Sequence, residues 1–439
     1  MVMEAIQVNF QDHLIGAVSF NSETGLGAFE YDSSFIQSGI ELSPIKMPLK
    51  KQVYSFSDLG HDTFKGLPGL IADSLPDDFG NAVLNAWIAS QGKQPNDITP
   101  LQRLQYTGKR GMGALEYAPA IKLKHLNASK HVALESLVGF AQDVLDSRAD
   151  FTTTLSKEGQ VDREAMLALL SVGTSAGGAR PKAVLAFNHD FTQARSGQAM
   201  VPDTFTHYLM KFDGVSEHNK QKETFGDPMG YGAMEYVYYL MATACGVEMM
   251  PCKLLDEGKR RHFITQRFDR VGNQKRHVQT LNGLAHVDYK QPGSYSYAEL
   301  FALARQLKLS AKEAEQLFKR MVFNIVARNH DDHAKNVSFM LDENHTWQLA
   351  PAYDLAYSYK KGSRWVNSHW MSLNGKRDKF TRDDFYGLER ISPLFTRAKI
   401  NSILDETIEQ VSCWRVLATE HGVPSTLIDD IEPNLRLKL

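Results

Sequence analysis

The chain has 439 residues, more than one compact core usually needs, so two or three structural units of roughly 100–200 residues each are expected. Hydrophobic residues make up 43% and charged residues 23%, ordinary globular usage that excludes a disordered, collagen-like or coiled-coil chain. Forty-nine Lys and Arg against 51 Asp and Glu leave a formal net charge of −2, so any contact with DNA must be local or borrowed from a partner.

Three cysteines, Cys245, Cys252 and Cys413, form no CxxC pair, which argues against a disulfide framework or a closed zinc site and for a reducing compartment. The N-terminus has an early acid and no basic stretch before an apolar one. The longest apolar run, residues 237–247, is too short to span a bilayer. A cytoplasmic protein without a membrane partner is expected.

Alternation at residues 5–8 and 14–18, split by Gln11-Asp12-His13, predicts a β-hairpin. Between Ser74 and Ser90, Ser74 as cap, Pro76 in the first turn and Phe79, Val83, Leu84, Trp87 and Ile88 at helical spacing predict a helix. Gly108, Gly111 and Gly113 then punctuate a basic loop, Gly-Lys-Arg-Gly-Met-Gly, whose short pattern suits a plain turn better than a phosphate cradle. Polar residues near 126–130 suggest a boundary before an amphipathic helix at 132–145. A further helix ending near Leu170, strands at 182–187 and 207–212, a helix at 233–245 and strands at 252–255 and 262–268 follow. Beyond Asp269 the helical period dominates, most clearly in Ala314, Leu317, Phe318, Met321, Val322, Ile325 and Val326. The elements divide into a β-rich front unit (1–130), a mixed lobe (131–270) and a helical lobe (271–439).

The densest chemistry follows that last helix: Arg328-Asn329-His330-Asp331-Asp332-His333-Ala334-Lys335-Asn336, then a strand at 337–341, a second strand at 347–349 and Pro351-Ala352-Tyr353-Asp354-Leu355. An acid, an amide five residues on and a second acid across a hairpin would converge on one spot. Phosphoryl transfer needs such a set, one carboxylate to orient the attacking hydroxyl and an amide oxygen plus a second carboxylate to hold Mg²⁺ against phosphates. The Asp331-x4-Asn336 spacing equals that of a kinase catalytic loop, although Asp-Leu-Ala stands at 354 where a typical protein kinase has Asp-Phe-Gly. Taken singly, Asp331 and Asp332 also suit loop capping, His330 and His333 core or surface positions, and Asn336 a turn.

Two other features bear on nucleotide binding. Residues 171–182, Ser-Val-Gly-Thr-Ser-Ala-Gly-Gly-Ala-Arg-Pro-Lys, are small nearly throughout, so backbone amides around Gly177 and Gly178 can approach phosphate closely; the Walker A pattern is absent and a flexible connector is the plainer alternative. Lys211 lies inside the apolar run Tyr208-Leu-Met-Lys-Phe, where a charge needs a partner unless the strand is an edge, and Glu235 on the next helix is the candidate.

The segments 175–182, 329–339, 351–355 and 66–77 (Gly-Leu-Pro-Gly-Leu-Ile-Ala-Asp-Ser-Leu-Pro-Asp) together make the chain resemble HipA, the serine/threonine kinase toxin family of bacterial toxin–antitoxin modules, over essentially its whole length. The resemblance implies a bilobal, protein-kinase-like α+β fold with an added β-rich N-terminal subdomain. ATP and Mg²⁺ are then expected between the lobes. By position it implies Asp331 as catalytic acid/base, Asn336 and Asp354 as Mg²⁺ ligands, and Lys182 and Lys211 as ATP contacts. Gln266 and Phe268 match the stretch whose backbone receives adenine. Ser175 matches the family's autophosphorylated serine, with Thr174 and Ser171 as nearby rivals. A phosphate there adds about −1.5 to −2 charge where ATP phosphates belong, which silences the enzyme by repulsion. The implied protein target is an aminoacyl-tRNA synthetase. The implied partner is a HipB-like helix-turn-helix antitoxin that neutralises the kinase and links it indirectly to operator DNA, docking on the front unit.

Two other classes compete. A metal-dependent phosphohydrolase would use His330, Asp331, His333 and Asp354 and needs an upstream ligand for which only His277 and His286 are placed. A pseudokinase corepressor would keep the partner without turnover.

Overall fold

The computed structural model describes residues 4–121, 180–216 and 226–439, together with 137–139, 141, 142 and 144. These divide into two compact units. The first comprises Met1–Ser43, Met47–Gly232 and Lys253–Val278, and the second Pro44–Lys46, Ala233–Cys252 and Gln279–Leu439.

The first unit opens with a five-stranded antiparallel sheet: β1 (Glu4–Phe10), β2 (His13–Asn21), β3 (Leu26–Tyr31), β4 (Val53–Tyr54) and β5 (Leu115–Ala118), in the order β4-β3-β2-β1-β5. The alternation read in the sequence becomes a two-faced strand, with Ile6, Val8 and Phe10 of β1 buried on one face. Opposite Val8 stands Gly16, where a Cβ would lie 2.2 Å from the Glu30 carbonyl oxygen, so a side chain would push β2 and β3 apart.

Helix α1 (Asp78–Ser90) buries all five apolar positions that its periodicity marks. Its cap differs from the expected one: Asp77 accepts the Gly80 amide at 2.5 Å, so Ser74 and Pro76 precede the helix. A carboxylate next to the helical amides also meets the positive end of the helix dipole, which favours Asp77 over a serine three residues earlier. Helix α2 (Pro100–Thr107) starts with a capping box made by Thr99 and Gln102.

A second sheet holds β6 (Lys182–Asn188), β7 (Ala194–Ser196), β8 (Phe205–Lys211), β9 (Cys252–Glu257) and β10 (Arg260–Gln266), in the order β9-β10-β8-β6-β7. One face carries Ala183, Leu185, Phe187, Tyr208, Met210 and Ile264 into a core shared with Phe79, Val83, Leu84 and Trp87 of α1. Leu137, Val138, Ala141 and Val144, from the expected helix at 132–145, join it. The rest of that helix, the one expected to end near Leu170 and the Gly-rich loop lie outside the described residues.

The second unit is mainly helical, as the sequence implies. Helix α3 (Tyr231–Ala244), whose first two residues count with the first unit, precedes α4 (Tyr297–Gln306), α5 (Ala311–Val326), α6 (Arg397–Ser412), α7 (Trp414–Glu420) and α8 (Ser425–Ile431). Leu317, Phe318, Met321, Val322, Ile325 and Val326 of α5 are all buried, each worth about 1.5–3 kcal/mol of transfer free energy. Tyr238 of α3 meets Phe323 and Trp414 edge-on at 6.0 and 5.6 Å, and its hydroxyl donates to the Ala327 carbonyl at 2.7 Å. A three-stranded sheet, β11 (Val278–Thr280), β12 (Ser338–Leu341) and β13 (Trp347–Leu349), follows the order β11-β12-β13. No helix among the described residues is long and apolar enough to cross a membrane.

Candidate active site

Helix α5 ends where Arg328 turns into the left-handed region at φ +59°, held by its Nε donating to the Asn434 carbonyl at 2.7 Å. The chain then runs irregularly to a 3-10 turn at Ala334–Asn336 and into β12. Asn329 anchors the start of this loop: its Nδ2 donates to Asn324 Oδ1 at 2.9 Å and its Oδ1 accepts the Ser358 hydroxyl at 3.0 Å.

The adjacent acids have different fates. Asp332 is 3% exposed and its carboxylate receives the Tyr297 hydroxyl at 2.6 Å, His369 Nδ1 at 3.0 Å and the Trp370 amide at 2.7 Å. Both carboxylate oxygens are engaged by buried donors, so Asp332 positions the loop. Asp331 keeps a side chain 36% exposed, with His333 Nε2 3.7 Å from its carboxylate.

Five residues on, Asn336 Nδ2 donates to the Asp331 carbonyl at 2.8 Å. That bond uses the Asn336 Nδ2 donor and orients the amide, whose Oδ1 is an oxygen donor. The second acid is tied to the same stretch through its neighbour: the Tyr353 hydroxyl bonds the Lys335 carbonyl at 2.6 Å and Ser338 Oγ at 2.5 Å. Asp354 itself is half-buried at φ +57°, a backbone state that Asp tolerates better than most residues. One amide oxygen and one carboxylate are hard donors of the kind Mg²⁺ takes alongside substrate phosphates.

Two site elements sequence reasoning missed are Tyr297 and His369, which come from α4 and from a loop, distant in sequence from Asp332. His330 lies beneath, its ring 4.1 Å from His369 and 5.1 Å from Tyr359. Burial, then the neighbouring His369, Arg328 and Arg436, hold His330 far below the usual imidazole range and therefore neutral. Among the described residues, no group of three or more His, Cys, Asp or Glu is arranged to hold a metal ion. His277, the upstream ligand a phosphohydrolase would need, is buried in the first unit with Nε2 on the Leu42 carbonyl at 2.8 Å, and His286 closes a short helix in a left-handed conformation.

In the first unit, Lys182 of β6 stands directly opposite Lys211 of β8, and Phe263 of β10 opposite Lys211, so all three share the sheet face away from the α1 core. Both lysines are buried, at 3% and 5% exposure. Lys182 Nζ lies 3.4 Å from Asp77 Oδ2, so Asp77 both caps α1 and meets a lysine; it is the last residue of the 66–77 segment. Lys211 Nζ stands 5.9 Å from the Phe263 ring centre. Gln266 ends β10 opposite Tyr208, and Phe268 falls just past the strand, which ends at 266. Glu235 is buried on α3. Ser175, Gly177 and Gly178, with Ser171 and Thr174, lie outside the described residues.

The HipA-like C-terminal domain model matches residues 174–414 and the HipA N-terminal domain model residues 6–118. The chain belongs to the HipA family. A protein of Sinorhizobium fredii named "Putative kinase Y4mE" is 26% identical over 191 residues, 39% of this chain and 44% of that protein. A "Putative kinase" of Haemophilus influenzae is 31% identical over 203 residues, 40% of this chain and 59% of that protein. The chain thus aligns with about half the length of these relatives. The HipA toxin of Shewanella oneidensis, solved with HipB and operator DNA, matches with a TM-score of 0.63 over 98% of this chain and 95% of its own at 16% identity. The α+β fold is therefore that of HipA, including the β-rich N-terminal part.

Proposed function

We propose that this HipA-family chain is an ATP-dependent serine/threonine protein kinase acting as a toxin. The observation that carries the reading is the contrast around the loop at 329–336: Asp332 is consumed by buried donors, while Asp331 keeps a reachable carboxylate and Asn336 is oriented by the Asp331 carbonyl. In this reading Asp331 accepts the proton of the attacking hydroxyl, Asn336 and Asp354 hold Mg²⁺, and Lys182, Lys211, Gln266 and Phe268 contact the nucleotide, with Glu235 supporting Lys211. Mg²⁺ would supply charge neutralisation at the phosphates.

The proposal extends to a HipB-like antitoxin and, through it, operator DNA. Its support is the fold shared with a HipA solved in such a complex and a net charge of −2 that leaves DNA reading to a partner. The proposed target is an aminoacyl-tRNA synthetase, and the proposed self-inhibition is phosphorylation of Ser175. Mass spectrometry of the protein after incubation with ATP and Mg²⁺ tests the last point. A phosphopeptide carrying Ser175 is expected, absent in Ser175→Ala; modification elsewhere, with Ser175 unlabelled, contradicts it.

A further inference from the structure

The first unit contains a cavity of about 950 Å³ that none of the residues proposed for phosphoryl transfer lines. Its walls come from the β1–β2 turn, the basic loop at 108–110, the turn at 197–200 and the hairpin residues 273–275, with His207 and Arg270 between them. The loop that looks in sequence like a plain turn is thus one wall of a half-open cleft large enough for a nucleotide-sized ligand.

These walls are fixed in place. Arg270 donates to the Gly113 and Gly111 carbonyls at 3.2 and 3.0 Å and to Asp269 Oδ2 at 2.7 Å, while the Gly113 amide donates to the same carboxylate at 2.8 Å. Asn273 brackets Val201, accepting its amide at 2.9 Å and donating to its carbonyl at 2.8 Å. His207 Nδ1 bonds the Gly197 carbonyl at 3.0 Å. Such a frame needs little ordering when a ligand enters.

The charge is unbalanced. Lys109, Arg110, Arg270 and Lys275 line the cavity against Asp12 and Glu116, and just behind the wall Arg267 pairs with Asp269. Glu116 is shared between Lys109 at 3.0 Å and Lys275 at 2.8 Å. Burial first, then Arg270, push Lys275 down to about 8, with Glu116 pulling the other way. Residues 119–121 and the 79%-exposed Met200 add apolar surface to the lining.

We infer that this cavity binds a phosphate-bearing small molecule of nucleotide size, its anionic group met by Lys109 and Arg110 in the positive field of the internally bonded Arg270 and Lys275, and its body laid against residues 119–121 and Met200. The inference is independent of the kinase reading. Calorimetric titration of the full-length protein with AMP, GMP and inorganic phosphate tests it, with a non-hydrolysable ATP analogue and Mg²⁺ present to fill any kinase-type nucleotide site. Saturable binding of AMP or GMP, at least about tenfold tighter than inorganic phosphate, is expected. Lys109→Gln, at a side chain 70% exposed, and Ala199→Trp, at a half-buried lining position, should each weaken it about tenfold while the melting temperature changes little. Absence of binding below about 1 mM, or binding unaltered in both variants, would overturn the inference.

Discussion

Asp331 and Asp332 are chemically identical neighbours, and what separates them is the number of donors each receives. Replacing Asp332 with Ala leaves the Tyr297 hydroxyl, His369 Nδ1 and the Trp370 amide without their shared buried acceptor, a loss of about 3–5 kcal/mol. The partly exposed Asp331→Gln should instead stay within about 0.5 kcal/mol of the parent. Urea denaturation of the two variants checks this; equal stability losses would remove the distinction. The sequence shows the cluster at 328–336 and the Asp331-x4-Asn336 spacing. It cannot show which acid is buried, because Tyr297 and His369 reach Asp332 from segments more than 30 residues away. Asp77 is a similar case: it is visible in the 66–77 segment, yet its pairing with Lys182 appears only when strand and helix are brought together.

At the scale of elements, periodic apolar faces were legible and cap positions less so. The stripe on α5 and the hairpin at residues 5–18 follow directly from spacing, since side chains in helices and strands repeat with fixed periods. The sequence offers both Ser74 and Asp77 as caps for α1, and it is the Gly80 amide, the helix dipole and the pairing with Lys182 that together select Asp77. For α5, the Ser310–Glu313 capping box also joins helix to sheet, Glu313 Oε1 accepting the Leu349 amide at 2.8 Å. Ser310→Ala should therefore cost about 1 kcal/mol by chemical denaturation, and no loss would argue against the cap. A pH effect belongs to the first unit, where burial pushes His207 and His277 down to about 4. Each folded-state value lies below the unfolded one of about 6.5, so the unfolded chain takes up the proton first as pH falls. Stability is full above about pH 6.5, declines towards pH 4 and levels below it, by roughly 3 kcal/mol for each histidine. His277→Asn should flatten that decline by about 1 kcal/mol per pH unit, measured from denaturation midpoints between pH 6 and 4; an unchanged slope would contradict the assignment.

At the scale of the whole molecule, family membership was legible because four separated segments carry specific residue patterns, and the two domain matches at 6–118 and 174–414 cover the same stretches. What a linear reading does not give is how α1 of the front part joins the core beneath the second sheet, because that packing depends on residues about 100 positions apart, Phe79 and Val83 against Ala183 and Leu185. The central claim is that this fold transfers phosphate through Asp331. The most direct measurement incubates purified protein, and separately its Asp331→Gln variant, with Mg²⁺, γ-labelled ATP and a cell lysate, and follows label in protein bands. The parent should label itself and a discrete protein of the lysate, and the variant should lose both by about 10²-fold or more while melting normally. Equal labelling by the two proteins, or release of inorganic phosphate by the parent with no protein labelled, would contradict it.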